Sequence, residues 1–397
     1  MRSAARANGA DLLAGFDRAR LDNLLARFQG MRVAVIGDYF LDKYLEVDPR
    51  LAEPSLETGK TAHQVVGTRH SPGAAGTVAN NLAALMALSP GESPAGFPPA
   101  SQHGQRGSIS AIGFTGDDGA GYELRSDLRS IGIGLEHLHT DIDPGRRTPV
   151  YLKPKDQDHA GLEGEHSRYD LKNRVPTGSA LERKIMDSIR QVIGEVDVLV
   201  AMDQVEDEGF GVFTPGMYDL LPRLVAGSGL PVCWADSRRR IGRFSGFVRK
   251  MNQFELLGIH DPEPGAVLPD ATVAAAFRSL DASSGSRTFV TAGEKGVWVL
   301  MDDAAAAGSG QAGSDAGDRA VAFIPAVRVE GPVDPTGAGD SFTAGAVLAL
   351  ACGATGLEAA LVGTLASSVT VRKLGTTGTA TPDELRAALE IWKGQRI

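Results

Sequence analysis

Leu21, Leu24, Leu25 and Phe28 recur at helical spacing on one face of residues 11–30, and Gly30 ends the stretch as a C-terminal cap. Next comes Arg32-Val-Ala-Val-Ile-Gly-Asp38, a short apolar run closed by glycine. Such a run predicts a buried parallel strand that delivers side chains to the carboxyl edge of a sheet. Similar runs predict strands at 108–114, 196–202, 231–236 and 288–291, with 297–301 pairing with the last. Helical stretches fall between and after them, at 77–88, 118–131, 180–194, 217–227, 340–352 and 356–373. This alternation predicts an α/β fold whose mostly parallel sheet is covered on both faces. No internal repeat is present.

Two regions break the rhythm. Residues 43–70 and 148–170 are rich in Thr, Val, Tyr and charged residues, with neither a long helical period nor a buried run. They are read as strands of a small sheet lying over the site. Residues 89–107 and 302–319 are rich in Gly, Ser, Pro and Ala and are expected to be exposed insertions without a catalytic role. The whole chain, 1–397, is read as one domain.

Composition narrows the function. The chain has 397 residues and a formal charge of −9, and an acidic balance argues against nucleic-acid or anionic-membrane partners. Two distant cysteines, Cys233 and Cys352, make neither a disulfide framework nor a metal pattern. The start lacks the apolar stretch of a signal peptide, and no apolar run approaches the roughly 20 residues that span a bilayer. A cytoplasmic protein is expected.

The most informative run is Val333-Asp-Pro-Thr-Gly-Ala-Gly-Asp340-Ser-Phe-Thr-Ala-Gly-Ala. Gly337 and Gly339 permit a tight turn and close approach to a ligand, and an apolar helix begins at once. The bare N–H groups of a first helical turn bind anions. A carboxylate beside an anion site needs a task, and Asp340 is suited to take a proton from a substrate hydroxyl. The competing reading is that Asp340 caps its helix. Gly59-Lys60-Thr61 has the tail of a P-loop, but Pro54 stands where its first glycine belongs.

Asp334-Pro-Thr-Gly-Ala-Gly-Asp340 resembles the C-terminal signature of the ribokinase-like (PfkB) carbohydrate kinases. Other segments agree in order: Gly37-Asp38-Tyr-Phe-Leu-Asp42, Pro72-Gly73-Ala-Ala-Gly76-Thr-Val-Ala-Asn80-Asn81, Gly113-Phe-Thr-Gly116-Asp117-Asp118-Gly119, Asn252-Gln-Phe-Glu255 and Thr291-Ala-Gly293-Glu-Lys-Gly296. The resemblance spans about residues 30–385. It implies a three-layer sandwich with a small β-sheet lid, and ATP-dependent phosphoryl transfer to a hydroxyl of a sugar or sugar phosphate. Within the family, Gly37–Tyr44, Arg168-Tyr-Asp170 and Arg372-Lys-Leu-Gly-Thr-Thr377 are most similar to the heptose 7-phosphate kinase domain of the ADP-heptose pathway. The signature departs at Ala74, where the family pairs two glycines, and at Thr77, where Asn is usual. Those departures keep a ribokinase-, fructokinase- or nucleoside-type kinase open, and an inactive sugar- or nucleotide-binding regulator is the alternative of another class.

The resemblance also assigns roles. Asp340 is the base, and the N–H groups of Gly337, Ala338 and Gly339 form the anion hole. Asp42, Asp38, Gly73 and Asn81 are expected at the sugar, with Lys153 and Arg168 as candidates for a phosphate already on it. Thr291, Gly293, Gly296 and Asn252 are expected at the nucleotide, and Glu255 at Mg²⁺ through water. ATP and Mg²⁺ are the implied cofactors, with a monovalent cation as a further candidate. A homodimer through the lid is the implied assembly.

Overall fold

The computed structural model describes residues 7–86, 107–159, 162–263, 265–280, 287–300 and 321–395. The expected insertions at 89–107 and 302–319 lie outside the described residues, Gly107 excepted. The strands are β1 (Ala7–Asn8), β2 (Arg32–Gly37), β3 (Tyr39–Pro54), β4 (Thr61–Ala74), β5 (Ser108–Gly116), β6 (Gly134–Asp141), β7 (Val150–Asp156) and β8 (Tyr169–Leu171). They continue with β9 (Val198–Asp203), β10 (Val232–Ser237), β11 (Val248–Asn252), β12 (Thr288–Thr291), β13 (Gly296–Leu300) and β14 (Val321–Pro325).

The apolar run of β2 is continuous because both of its faces are covered. Val33 and Val35 pack with the helices Arg18–Phe28, Ala75–Met86 and Ala338–Ala351, while Ala34 and Ile36 pack with Ser179–Val192 and Pro215–Ser228 on the other side. The result is a ten-stranded sheet in the order β1-β14-β13-β12-β11-β10-β9-β2-β5-β6. Every pairing is parallel except those of β13, which runs antiparallel to both neighbours. In-register pairs Gly37↔Met202, Asp203↔Ser237, Asp236↔Lys250 and Asn252↔Thr291 bring five strand ends to one carboxyl edge. This is where an open α/β sheet presents ligands.

A second sheet, ordered β4-β3-β7-β8, is the lid. The chain passes from β2 into β3 through Asp38 alone, so the lid starts at Tyr39 and returns to the core at Ala74, beyond the expected bounds of 43–70. Its second piece is two separate strands, β7 and β8, rather than one stretch over 148–170. Ala74 has φ +52°, the one left-handed non-glycine among the described residues, at the point where the chain leaves β4 for a helix.

Several expectations need correction. The stretch 11–30 is two helices, Gly9–Leu12 and Arg18–Phe28, because the Asp17 side chain accepts the Arg20 N–H at 2.8 Å and starts a new helix. The second ends at Gln29, not Gly30. Strands β1, β6, β11 and β14 are not among those the sequence predicts. In Val248-Arg-Lys-Met-Asn252 the polar residues hide a strand whose Lys250 is nonetheless buried. No helix among the described residues is long and apolar enough to cross a membrane.

Candidate active site

Gly337 adopts φ +78° and serves as the N-cap of the helix Ala338–Ala351 without any side-chain cap. A residue with a Cβ would lose roughly 1–2 kcal/mol in that conformation. The turn is held from below by Asp334, whose buried carboxylate accepts the N–H groups of Thr336 and Gly375, each at 3.0 Å. The amides of Gly337, Gly339 and Asp340 take no partner among the described residues, so they are available to an anion. Ala338 is a correction to the expected set: its N–H donates to the Pro335 carbonyl at 3.1 Å.

Asp340 sits in the first turn of this helix and is half-buried. Its carboxylate makes no hydrogen bond or ion pair with any described residue, which removes the helix-capping reading. Burial pushes its pKa up to about 7, opposed by Lys250 and Arg238 and reinforced by Asp236 and Asp42. Lys250 itself is buried and bonded to Asp236 Oδ2 at 2.6 Å. Burial lowers the Lys250 pKa, but Asp236 and Glu255 outweigh it and hold the ammonium above its ordinary range. A Cβ on Gly339 would lie 2.8 Å from Lys250 Nζ, so glycine is needed for the turn to close over the ammonium.

Asp42 stands across from this turn, on the lid strand β3, and is buried. One of its oxygens faces Lys153 Nζ at 3.6 Å, and Oδ1 is buried without a partner. An unsatisfied buried acceptor next to a glycine is a position where a ligand hydroxyl can bond. Gly73 is that glycine, since a Cβ there would come within 3.2 Å of the Asp42 carboxyl carbon. Burial raises the Asp42 pKa, with Lys153 pulling it back. Lys153 is therefore committed to Asp42 and to Tyr44, whose hydroxyl accepts from Nζ at 3.4 Å, and it is not placed as a phosphate ligand. Lys153 at 5.0 Å and Arg69 at 3.9 Å both lie over the Tyr44 ring, and Arg69 reaches the Gly375 carbonyl, tying lid to core.

Of the residues expected at the sugar, Asp38 serves the scaffold instead. Both oxygens of buried Asp38 are used, Oδ1 by the Val212 N–H at 2.7 Å and Oδ2 by those of Gln204 at 2.9 Å and Val205 at 3.1 Å. Asn81 is wholly buried, and its amide donates to the carbonyls of Thr77 at 3.0 Å and Gly378 at 3.4 Å. Its NH₂ group joins a helix to the C-terminal segment, while its Oδ1 is buried without a partner, as Asp42 Oδ1 is.

A cavity of about 390 Å³ lies between the lid and the core edge, lined by Tyr151, Arg168, Lys172 and Arg174 on one side and by residues 204–207 and Arg238 on the other. Asp340 and Asp42 do not line it. Arg238 belongs to both neighbourhoods, because it lines the cavity and acts electrostatically on Asp340. Arg168 stacks 4.5 Å over the Tyr151 ring and makes a two-pronged pair with Asp170 at 2.7 and 2.9 Å.

On the far side, Thr291 ends β12 beside Asn252, the last residue of β11. Gly293 has φ +58° with open space where a Cβ would be, so it can approach a ligand. Gly296 is needed for another reason: a Cβ would meet the Ile324 carbonyl at 2.1 Å within the sheet. Asn252 and Glu255 form a capping box, in which the Asn252 side chain accepts from Phe254 and Glu255 and the Glu255 side chain accepts from the Asn252 N–H at 2.7 Å. That leaves the Asn252 amide NH₂ and one Glu255 oxygen for ligands. Burial and then Asp236 raise the Glu255 pKa. No group of three or more His, Cys, Asp or Glu among the described residues is arranged to hold a metal ion. One carboxylate with phosphates and waters fits magnesium, which keeps much of its water shell.

Sequence reasoning missed Lys250, Asp236 and Arg238. Their signal was a charge inside or just after an apolar strand, in Val248–Asn252 and Val232–Ser237. Lys250 and Asp236 are a buried pair and Arg238 is exposed; charges gathered at a strand end mark functional sites.

Residues 250–384 match the description "pfkB family carbohydrate kinase". Across 94% of its length the chain is 27% identical to the bifunctional protein HldE of Hyphomonas neptunium, and equally to that of Citrifermentans bemidjiense. It spans 66% of each of those relatives, just under two thirds. Among solved structures it is similar to phosphofructokinase-2 from Escherichia coli in complex with fructose-6-phosphate (TM-score 0.61, 18% identity, 92% of this chain and 99% of that one). It is also similar to Arabidopsis thaliana ribokinase complexed with ribose and ATP (TM-score 0.58, 15% identity, 92% and 99%). These likenesses establish the ribokinase-like fold.

Proposed function

We propose that this chain is a carbohydrate kinase of the pfkB type and moves the γ-phosphoryl group of ATP onto a hydroxyl of a phosphorylated sugar. The observation that carries the reading is the half-buried Asp340 carboxylate, unpartnered among the described residues, directly behind a turn with bare amides at Gly337 and Gly339. Asp340 takes the acceptor proton as that oxygen forms its bond to phosphorus. The bond from phosphorus to the bridging oxygen breaks, and its electron pair leaves with ADP. The amides of Gly337 and Gly339 meet the charge on the phosphoryl oxygens. Asp42 Oδ1 accepts from a sugar hydroxyl. Glu255 and the amide of Asn252 are the groups that would hold Mg²⁺ and phosphate, with the metal neutralising phosphate charge when bound.

The phosphorylated acceptor is supported by Arg168, Lys172 and Arg174, which line one side of the cavity next to the site. The heptose 7-phosphate reading rests on the resemblance of the segments around Asp42, Arg168 and Arg372. Asp170, Glu206 and Asp207 line the same cavity and favour a second reading, an unphosphorylated sugar whose hydroxyls they bind. A panel of sugars and sugar 7-, 6- and 5-phosphates assayed by ADP release decides between them. Turnover is expected with phosphorylated acceptors, and activity confined to free sugars would overturn that reading.

The lid is also proposed to pair two copies of the chain. Leu51, Leu56, Val65 and Val66 are exposed on its hairpin, an apolar surface that a second lid would cover. Sedimentation at micromolar concentration is expected to give a dimer, and Val65→Lys together with Val66→Lys a monomer. A wild-type monomer would remove this assembly.

A further inference from the structure

We propose that Arg238 is a catalytic residue that meets the phosphoryl group in flight, and that Gln204 is the positioning residue that aims it; this rests on the kinase reading above. Arg238 follows the end of β10, two residues after Asp236. Asp236 holds Lys250, and Lys250 lies directly against Gly339. Arg238 is exposed at this carboxyl edge and lines the cavity wall opposite Tyr151 and Arg168 of the lid. Its influence on Asp340, Glu255 and Tyr151 agrees with that central position.

Several cations nearby are already occupied, whereas Lys172 and Arg174 line the cavity without a side-chain partner among the described residues, on the lid side away from β10. Lys250 is bonded to Asp236, Lys153 faces Asp42, Arg168 is paired with Asp170, and Arg240 with Asp203 at 3.2 Å. Arg238 makes one side-chain hydrogen bond among the described residues, from Nε to Gln204 Oε1 at 3.1 Å. Its two terminal nitrogens take no partner among the described residues, and the residue lines the cavity. A planar guanidinium with two free prongs matches the equatorial oxygens of a phosphoryl group.

What aims this side chain is a rigid loop. Asp38 takes the amides of Gln204, Val205 and Val212. Arg240 donates to the carbonyls of Glu206 and Val205 while bonded to Tyr218 and Asp203. Arg146 donates to the Phe210 carbonyl at 3.0 Å, and Thr177 to that of Gly211 at 2.6 Å. The Arg238 N–H itself donates to the Asp203 carbonyl at 3.0 Å. Residues 204–212 have little regular secondary structure yet are pegged at both ends and in the middle. The Gln204 backbone is thereby fixed, and its side-chain oxygen is the acceptor that aims Arg238. This gives Asp38 a purpose that its sequence motif did not reveal.

The test uses the whole chain with ATP, Mg²⁺ and its best acceptor. Arg238→Met is expected to lower kcat about 10²–10³-fold, with both KM values changing less. Arg238→Lys is expected to recover part of the loss, and added guanidinium ion part of the loss in Arg238→Ala. Gln204→Ala is expected to cost about tenfold in kcat in the wild-type background and almost nothing in Arg238→Met, since it acts through Arg238. Unchanged kcat in Arg238→Met would overturn the proposal while leaving the kinase reading intact, because wild-type turnover is read in the same assay. A rise confined to acceptor KM would overturn it too, by making Arg238 a ligand of the acceptor's own phosphate. Additive losses in the double variant would remove Gln204 as the aiming residue.

Discussion

Asp340→Asn is expected to lower kcat by about 10²–10⁴-fold while ATP binding, read by calorimetry, stays within a few-fold of wild type. Asparagine keeps the shape of the side chain but cannot take the hydroxyl proton. The amide-lined turn depends on Gly337 and Asp334, not on Asp340, so the nucleotide still finds its donors. The wild-type enzyme carries a companion signature. Asp340 must be ionised to act and its pKa in the free protein is pushed up to about 7, so kcat/KM should rise with pH through that value and then level. The raised pKa also has a sign for stability. A carboxyl whose pKa is higher folded than unfolded makes the fold less stable as pH climbs from about 4 to 7, and Asp340→Asn should flatten that slope. Near-normal turnover in the variant would take Asp340 out of the chemistry.

Lys250→Met should produce the second large effect, on activity and stability together. In the wild type one buried ammonium offsets three carboxylates, bonding Asp236 and acting on Glu255 and Asp340. Methionine fills similar space but leaves Asp236 buried and uncompensated, which typically costs about 3–5 kcal/mol. The melting temperature should fall accordingly. Since Lys250 is the strongest influence holding the Asp340 pKa down, its removal moves the acid limb of the kcat/KM profile to higher pH. Turnover at pH 7 then drops even in molecules that remain folded. A variant with lowered stability and an unmoved acid limb would show that Lys250 supports the scaffold without setting the charge of Asp340.

Much of this site is legible in the order of residues along the chain. The glycine turn followed by an apolar helix identifies an anion site, and the spacing Asn252-x-x-Glu255 is that of the capping box found there. Other residues with the same apparent claim separate only in three dimensions. Asp38 and Asp42 lie four positions apart in one motif, yet Asp38 engages backbone amides with both oxygens and Asp42 keeps one unpartnered. Lys153 and Arg168 are equal phosphate candidates in the sequence, and the lid register separates them by setting Lys153 against Asp42 and Tyr44.

The alternating α/β order, the covered parallel sheet, and the turn and acid at 337–340 follow from the chain alone, because they are written in local periodicity and in glycines next to one helix. Which charges face a ligand and which face each other is a matter of folding. Asp236, Arg238, Lys250 and Asp340 come from three separate segments, and their partners are set by strand register and by burial. Neither is a property of neighbours along the chain: the energy of a charge depends on what surrounds it in space.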